Sequence, residues 1–145
     1  MADTTKLVTV FKVAIANIRD ILFEGEVGNF GGGAVALKIP LLKSYKNYDI
    51  LGFYARSNCG GAYRYIYREV PTEMIDDLRN INHHTNDKVS FCWGYASSDD
   101  YCDISKETTN TELDVNSNKI LITKIIGIKY VTVGTLIDNQ NGGDS

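Results

Sequence analysis

The sequence predicts an all-β protein: an antiparallel β-sandwich, jelly-roll-like, with at most one short helix. Three observations carry that class. About eight short segments alternate apolar with polar residues, the period of a strand. Turn-forming residues return roughly every ten residues between them. The longest apolar run, KILITKIIGIKYVTV from Lys119 to Val133, has nine β-branched residues in fifteen, which favours strand over helix.

That run reads as one long strand, or as two split near Gly127. Simple alternation places Ile120, Ile122, Ile126, Ile128 and Tyr130 on one face, the core face. Lys119, Leu121, Thr123, Ile125, Gly127 and Lys129 fall on the other. This second face is half apolar, so Leu121, Thr123 and Ile125 are expected to border a neighbouring subunit.

The remaining elements follow in chain order. Residues 7–16 alternate Leu7, Thr9, Phe11, Val13 and Ile15 and read as a strand; a helix over Val10–Phe23 competes. Asn17–Asp20 reads as a turn, followed by a strand at 21–27. GNFGGG, residues 28–33, is a loop, because no GK[ST] follows it and it opens no helix. A short strand, AVALKI, ends at Pro40, and Leu41 and Leu42 are expected to tuck inward. YDILGFYAR (48–56) and AYRYIYREV (62–70) form a hairpin around SNCGG. Thr72 resembles an N-cap, so 72–80 is a short helix or an irregular crossover. KVSFCWGYA (88–96) and YCDISKE (101–107) pair across SSDD. TTNTELDVNSN is a polar loop with at most a strand of two or three residues. The domain plan is a docking or oligomerisation segment at 1–19, the sandwich at 20–133 and a flexible tail at 134–145.

Composition narrows function. With 145 residues, the chain fits one domain with a substantial core. A net charge of −3 argues against general nucleic-acid binding. The N-terminus lacks the basic region, uninterrupted apolar core and cleavage site of a signal peptide. Lys124 and Lys129 interrupt the C-terminal run, which speaks against membrane insertion. Three cysteines without CxxC spacing fit free thiols made in a reducing cytoplasm; Cys92 and Cys102 could pair across a hairpin.

No catalytic motif stands out. His83 and His84 lie adjacent in a loop without further ligands in the pattern, so no metal is expected. Asp99, Asp100 and Asp103 lack the spacing of a calcium loop. Glu24, Glu26, Asp49 and Glu69 include no pair that sequence can single out for glycoside hydrolysis. The expectation is a non-enzyme without cofactor. The aromatic residues are more informative: Tyr54, Tyr63, Tyr65, Tyr67, Trp93, Tyr95 and Tyr101 cluster on three expected strands. Such side chains suit sugar stacking and protein interfaces. Alternatively, Trp93 belongs to the core and Tyr63, Tyr65 and Tyr67 form the inner face of their strand. The candidate ligand contacts are Tyr63, Arg64, Tyr65, Trp93 and Tyr95.

Two motifs carry a family resemblance over about residues 20–130. Leu42, Tyr45, Tyr48, Asp49, Leu51 and Phe53 make up the first. Ile120, Ile122, Thr123, Lys124, Ile125, Gly127, Ile128 and Lys129 make up the second. Together they resemble the C-terminal β-sandwich domain of phage tail, tail-fibre and minor structural proteins. The resemblance implies a virion protein (a head fibre, tail fibre or capsid decoration protein), made in the host cytoplasm. It implies a homotrimer, contacts with capsid or tail proteins, and host attachment through a surface glycan. A purely structural joining or decoration role is the alternative, and a polysaccharide depolymerase a more distant one. Met1 stands only about twenty residues before the resemblance begins, which favours a small accessory over the tip of a long fibre.

Overall fold

Alternating segments become eight strands in the computed structural model, which describes residues 17–29, 33–59, 62–80, 87–91 and 101–131, with backbone alone at 58, 59, 62 and 63. The strands are β1 (Asn17–Gly28), β2 (Val35–Pro40), β3 (Ile50–Cys59), β4 (Ala62–Pro71), β5 (Lys88–Phe91), β6 (Tyr101–Ser105), β7 (Glu112–Asn118) and β8 (Ile120–Tyr130). Helix α1 (Thr72–Asn80) and a 3-10 turn at Tyr45–Asn47 complete the described elements.

The strands form two antiparallel sheets, ordered β1-β8-β3-β4 and β2-β7-β6-β5. The first strand pairs with the last and the second with the next to last. This nesting makes the sandwich jelly-roll-like, while β3–β4 and β5–β6 close as local hairpins. The inward faces meet in one core. Leu22, Leu51, Phe53, Ala55, Val70, Ile120, Ile122 and Ile125 come from the first sheet. Ile39, Val89, Phe91, Cys102, Ile104, Leu113 and Val115 come from the second. Phe53 and Phe91 pack ring to ring across the layers, with centroids 4.8 Å apart. Ile75 and Leu78 of α1 join the same cluster.

β7 corrects an expectation. ELDVNSN is a full strand in the middle of the second sheet, not a loop. Leu113, Val115 and Ser117 point inward, alternating with polar residues that point out. Only two of the inward residues are apolar, so the pattern is weak in sequence. Ser117 is accommodated because its hydroxyl donates to the Ile120 carbonyl at 2.7 Å and accepts from Cys102 Sγ at 3.5 Å. Between these strands Lys119 adopts a left-handed φ of 61°, and the chain crosses from one sheet to the other in that single residue.

β8 brings the larger correction. Its register with β3 shifts between Tyr54 and Ala55, which pair with Lys124 and Ile122. Thr123 is therefore an extra residue, a β-bulge that reverses the alternation beyond it. Ile120 and Ile122 face the core before the bulge; Ile125 and Gly127 face it afterwards, opposite Phe53 and Leu51. Ile126 and Ile128 turn to the other face of the sheet, where both are still buried, as expected of apolar residues, though outside the cluster between the sheets. The expected shared face of Leu121, Thr123 and Ile125 does not exist. Ile125 is completely buried in the protein's own core.

β1 is continuous from Asn17, which pairs with Tyr130, so neither a turn at 17–20 nor a helix reaching Phe23 forms. The strand runs through the boundary expected between residues 19 and 20. The strand expected at 7–16, and the tail beyond 131, lie outside the described residues. Leu41 is buried as expected, but Leu42 is 78% exposed. Thr72 opens α1 differently from an N-cap acceptor: its hydroxyl donates to the carbonyls of Tyr48 at 2.6 Å and Asp49 at 3.2 Å.

Candidate functional site

With the core filled from the inner faces, the outer face of the first sheet retains side chains that the sandwich does not consume. Residues opposite one another on paired strands share a face, so the register fixes its layout. One row runs Leu121, Arg56, Tyr65 across β8, β3 and β4. The next runs Glu24, Lys124, Tyr54, Tyr67 from β1 to β4. A third runs Ile21, Ile126, Gly52, Glu69.

The aromatic rings and cations of these rows interlock. Tyr54 and Tyr67 pack with centroids 4.8 Å apart. Lys124 Nζ lies 4.6 Å from the Tyr54 ring centre, and the Arg56 guanidinium 5.5 Å from that of Tyr65. Both distances fall within cation–π range. Tyr67 leans over Gly52, where an added Cβ would stand 2.5 Å from the phenolic oxygen. Its hydroxyl donates to Glu69 Oε2 at 2.7 Å. Burial and then the Glu69 carboxylate push the Tyr67 phenol well above its ordinary range, so it stays a neutral donor. Tyr65 is the outlier in exposure: 82% of it is open to solvent.

The Tyr stripe therefore faces outward. Tyr65 and Tyr67 lie on the outer face, while Ile66 packs against the core. Arg64 points to the opposite side of β4 from Tyr65, so the two do not converge. Trp93 and Tyr95 lie outside the described residues, as does the side chain of Tyr63. Leu121 is half-buried on the outer face, next to Arg56. The Thr123 hydroxyl donates to the Tyr54 carbonyl at 3.2 Å. Lys124 has no place among the sequence-selected contacts. Its position over Tyr54 depends on the β8 register, which is not written in local alternation.

Other polar groups serve the scaffold. Tyr45 donates to Asp76 Oδ1 at 2.6 Å and accepts from Arg79 at 2.8 Å; Arg79 also donates to Asn110 at 2.6 Å. This network ties α1 to the 3-10 turn and the loop before β7. The Asp49 carboxylate accepts the Tyr130 backbone N–H at 2.8 Å. Asp103 accepts from Ser90 at 2.6 Å, bracing β6 to β5. Among the described residues no group of three or more His, Cys, Asp or Glu could hold a metal ion. His83, His84, Cys92, Asp99 and Asp100 lie outside those residues. Also among them, no helix is long and apolar enough to cross a membrane.

A scan against protein-family models finds no match, and no curated protein matches the sequence.

Proposed function

We propose that this chain is a phage virion protein of the fibre or decoration kind, and that it attaches to the host surface through the outer face of the β1-β8-β3-β4 sheet. One observation carries the reading: the Tyr54, Tyr65 and Tyr67 rings, interleaved with Arg56 and Lys124, stand on a face that the core does not use. Flat aromatic surface beside charged donors suits carbohydrate, by stacking and hydrogen bonding and without bond making. The resemblance of the YDIL and ITKIIGIK motifs to phage fibre domains supports the virion setting, and the jelly-roll-like sandwich is compatible with it. The assembly proposed is a homotrimer docked on capsid or tail proteins. Its contacts would have to use surfaces other than Ile125.

The test is adsorption. Purified protein is offered to a panel of bacterial strains, and particles are imaged with and without it. Retention by some strains, lost on Tyr65→Ala, is the expected outcome. Density on the particle without any cell retention would favour a purely joining or decorating role. The absence of both retention and density would sink the proposal.

A further inference from the structure

We infer that a second copy of this chain docks beside the adjoining edges of β1 and β2, with Leu42 of one copy seated in an apolar groove of the next; this rests on the self-association in the reading above and names its surface. β1 and β2 are edge strands of the two sheets and touch one another. A groove of about 370 Å³ lies beside them, lined by Ile21, Leu22, Phe23, Pro40 and Leu41 together with Leu42 and Glu24. Two of its aliphatic side chains face water, Leu42 at 78% exposure and Ile21 at 49%. Leu42 stands on a pinned backbone. Its N–H donates to the Leu22 carbonyl at 2.8 Å, and the Leu41 N–H before it donates to the Thr111 carbonyl at 2.8 Å. An apolar side chain displayed on fixed backbone has little ordering entropy left to lose when it docks. Exposed apolar residues gathered around one groove mark an interaction site, unlike the same residues scattered singly.

The make-up of the groove selects the occupant. A projecting leucine and an apolar hollow lie side by side, so both halves of a contact are present on one chain. The surroundings also carry both signs. Glu24, which stands opposite Lys124 in the sheet, lines the groove. Lys43 follows Leu42 and stays 60% exposed while it reaches Asp20 at 3.6 Å. When Leu42 enters the hollow of a neighbouring copy, Lys43 is carried toward Glu24 there. The apolar contact supplies the affinity and the charges set the orientation. Repeated from copy to copy, such a contact closes around a symmetry axis. A lipid surface would instead bury Glu24 and Lys43 without partners, at high cost.

The experiment is sedimentation equilibrium of the whole chain over a concentration series, with circular dichroism of each variant. The wild type is expected to self-associate. Leu42→Asp should weaken that association at least roughly tenfold while leaving the fold unchanged, since the side chain it replaces is largely in water. Ile21→Asp, on the β1 side of the groove, should act in the same direction and keeps the test readable should one variant fold poorly. Leu42→Met, which conserves the apolar knob, should associate nearly as well as the wild type. An oligomer that both aspartate variants leave intact overturns this surface and leaves the homotrimer reading to stand on another. A wild type that stays monomeric up to about millimolar concentration overturns both.

Discussion

Gly127 lies directly beneath the ring of Tyr48: a Cβ added at 127 would stand 2.5 Å from Cγ of that ring and 2.6 and 2.7 Å from its two Cδ atoms. The ring cannot easily withdraw. Its hydroxyl donates to Asp20 Oδ2 at 2.6 Å. Its backbone is anchored by Tyr48 N–H to the Tyr45 carbonyl at 3.1 Å, and the next residue by Asp49 N–H to the Ile128 carbonyl at 2.8 Å. Glycine is needed here for space. Gly127→Ala should lower stability by about 1–3 kcal/mol, read by urea denaturation. Combining it with Tyr48→Ala should cost less than the sum of the single changes, because the second removes the clash. Strict additivity would show that the ring yields freely.

The same Tyr48–Asp20 contact makes stability depend on pH at both ends. Burial first, and the Asp20 carboxylate second, push the Tyr48 phenol from 10.0 to about 12. A raised folded value means that its contribution is fully present below pH 10 and is lost as pH rises through 12. The hydrogen bond from Tyr48, helped by Lys43 at 3.6 Å, holds the Asp20 carboxyl below its ordinary range. That contribution is present above the unfolded value of about 3.9 and is lost as pH falls through the folded one. Tyr48→Phe should flatten both limbs of a denaturation-against-pH curve. An unchanged alkaline limb would mean that other tyrosines carry it.

Thr72 joins α1 to the start of β3 through one hydroxyl that reaches two carbonyls, Tyr48 O and Asp49 O. The residue is 7% exposed, so water cannot readily replace the lost donor. Thr72→Val keeps the shape and removes the hydroxyl, and should cost about 1–3 kcal/mol. Thr72→Ser should cost less. A loss with Thr72→Ser but none with Thr72→Val would assign the effect to the methyl group instead.

The bulge at Thr123 decides what a charge does in β8. Ile125 is fully buried, opposite Phe53 on the inner face. Ile125→Asp should therefore unfold the protomer itself, at a cost above about 4 kcal/mol. Leu121→Asp, on the outer face, should leave it folded. Circular dichroism separates the two outcomes. An Ile125→Asp protein that keeps its fold but dissociates would restore the interface assignment.

The same strand shows where sequence reading reaches its limit. Period-two alternation and turn residues suffice to give β2, the β3–β4 hairpin and the sandwich class, because each strand has one inward apolar row. Alternation assumes that every residue advances the strand by one pairing position. Thr123 does not, so simple alternation inverts every face beyond it. β7 escapes alternation for a different reason: Ser117 fills an inward position that hydrophobicity cannot flag. The face with Tyr54 and Lys124 is assembled from four strands, and only their register brings those two residues together. Tyr65 and Tyr67 were legible as a stripe, but whether they faced in or out depended on the neighbour Ile66 reaching the core.

Tyr65 separates stability from binding most cleanly. It stands at 82% exposure on β4, an edge strand, opposite Arg56. Little apolar area is buried there, so Tyr65→Ala should change unfolding free energy by no more than about 0.5 kcal/mol. Phe in its place keeps the stacking surface and loses the hydroxyl. If the ring binds sugar by stacking, Tyr65→Phe should retain most of the cell or glycan retention and Tyr65→Ala should lose it. Titrations of both variants, run beside denaturation curves, give the two readouts on the same samples. Loss of binding with Tyr65→Phe as well would place recognition in the hydroxyl. Full binding by Tyr65→Ala would remove this residue, and the row that it shares with Arg56, from the recognition face.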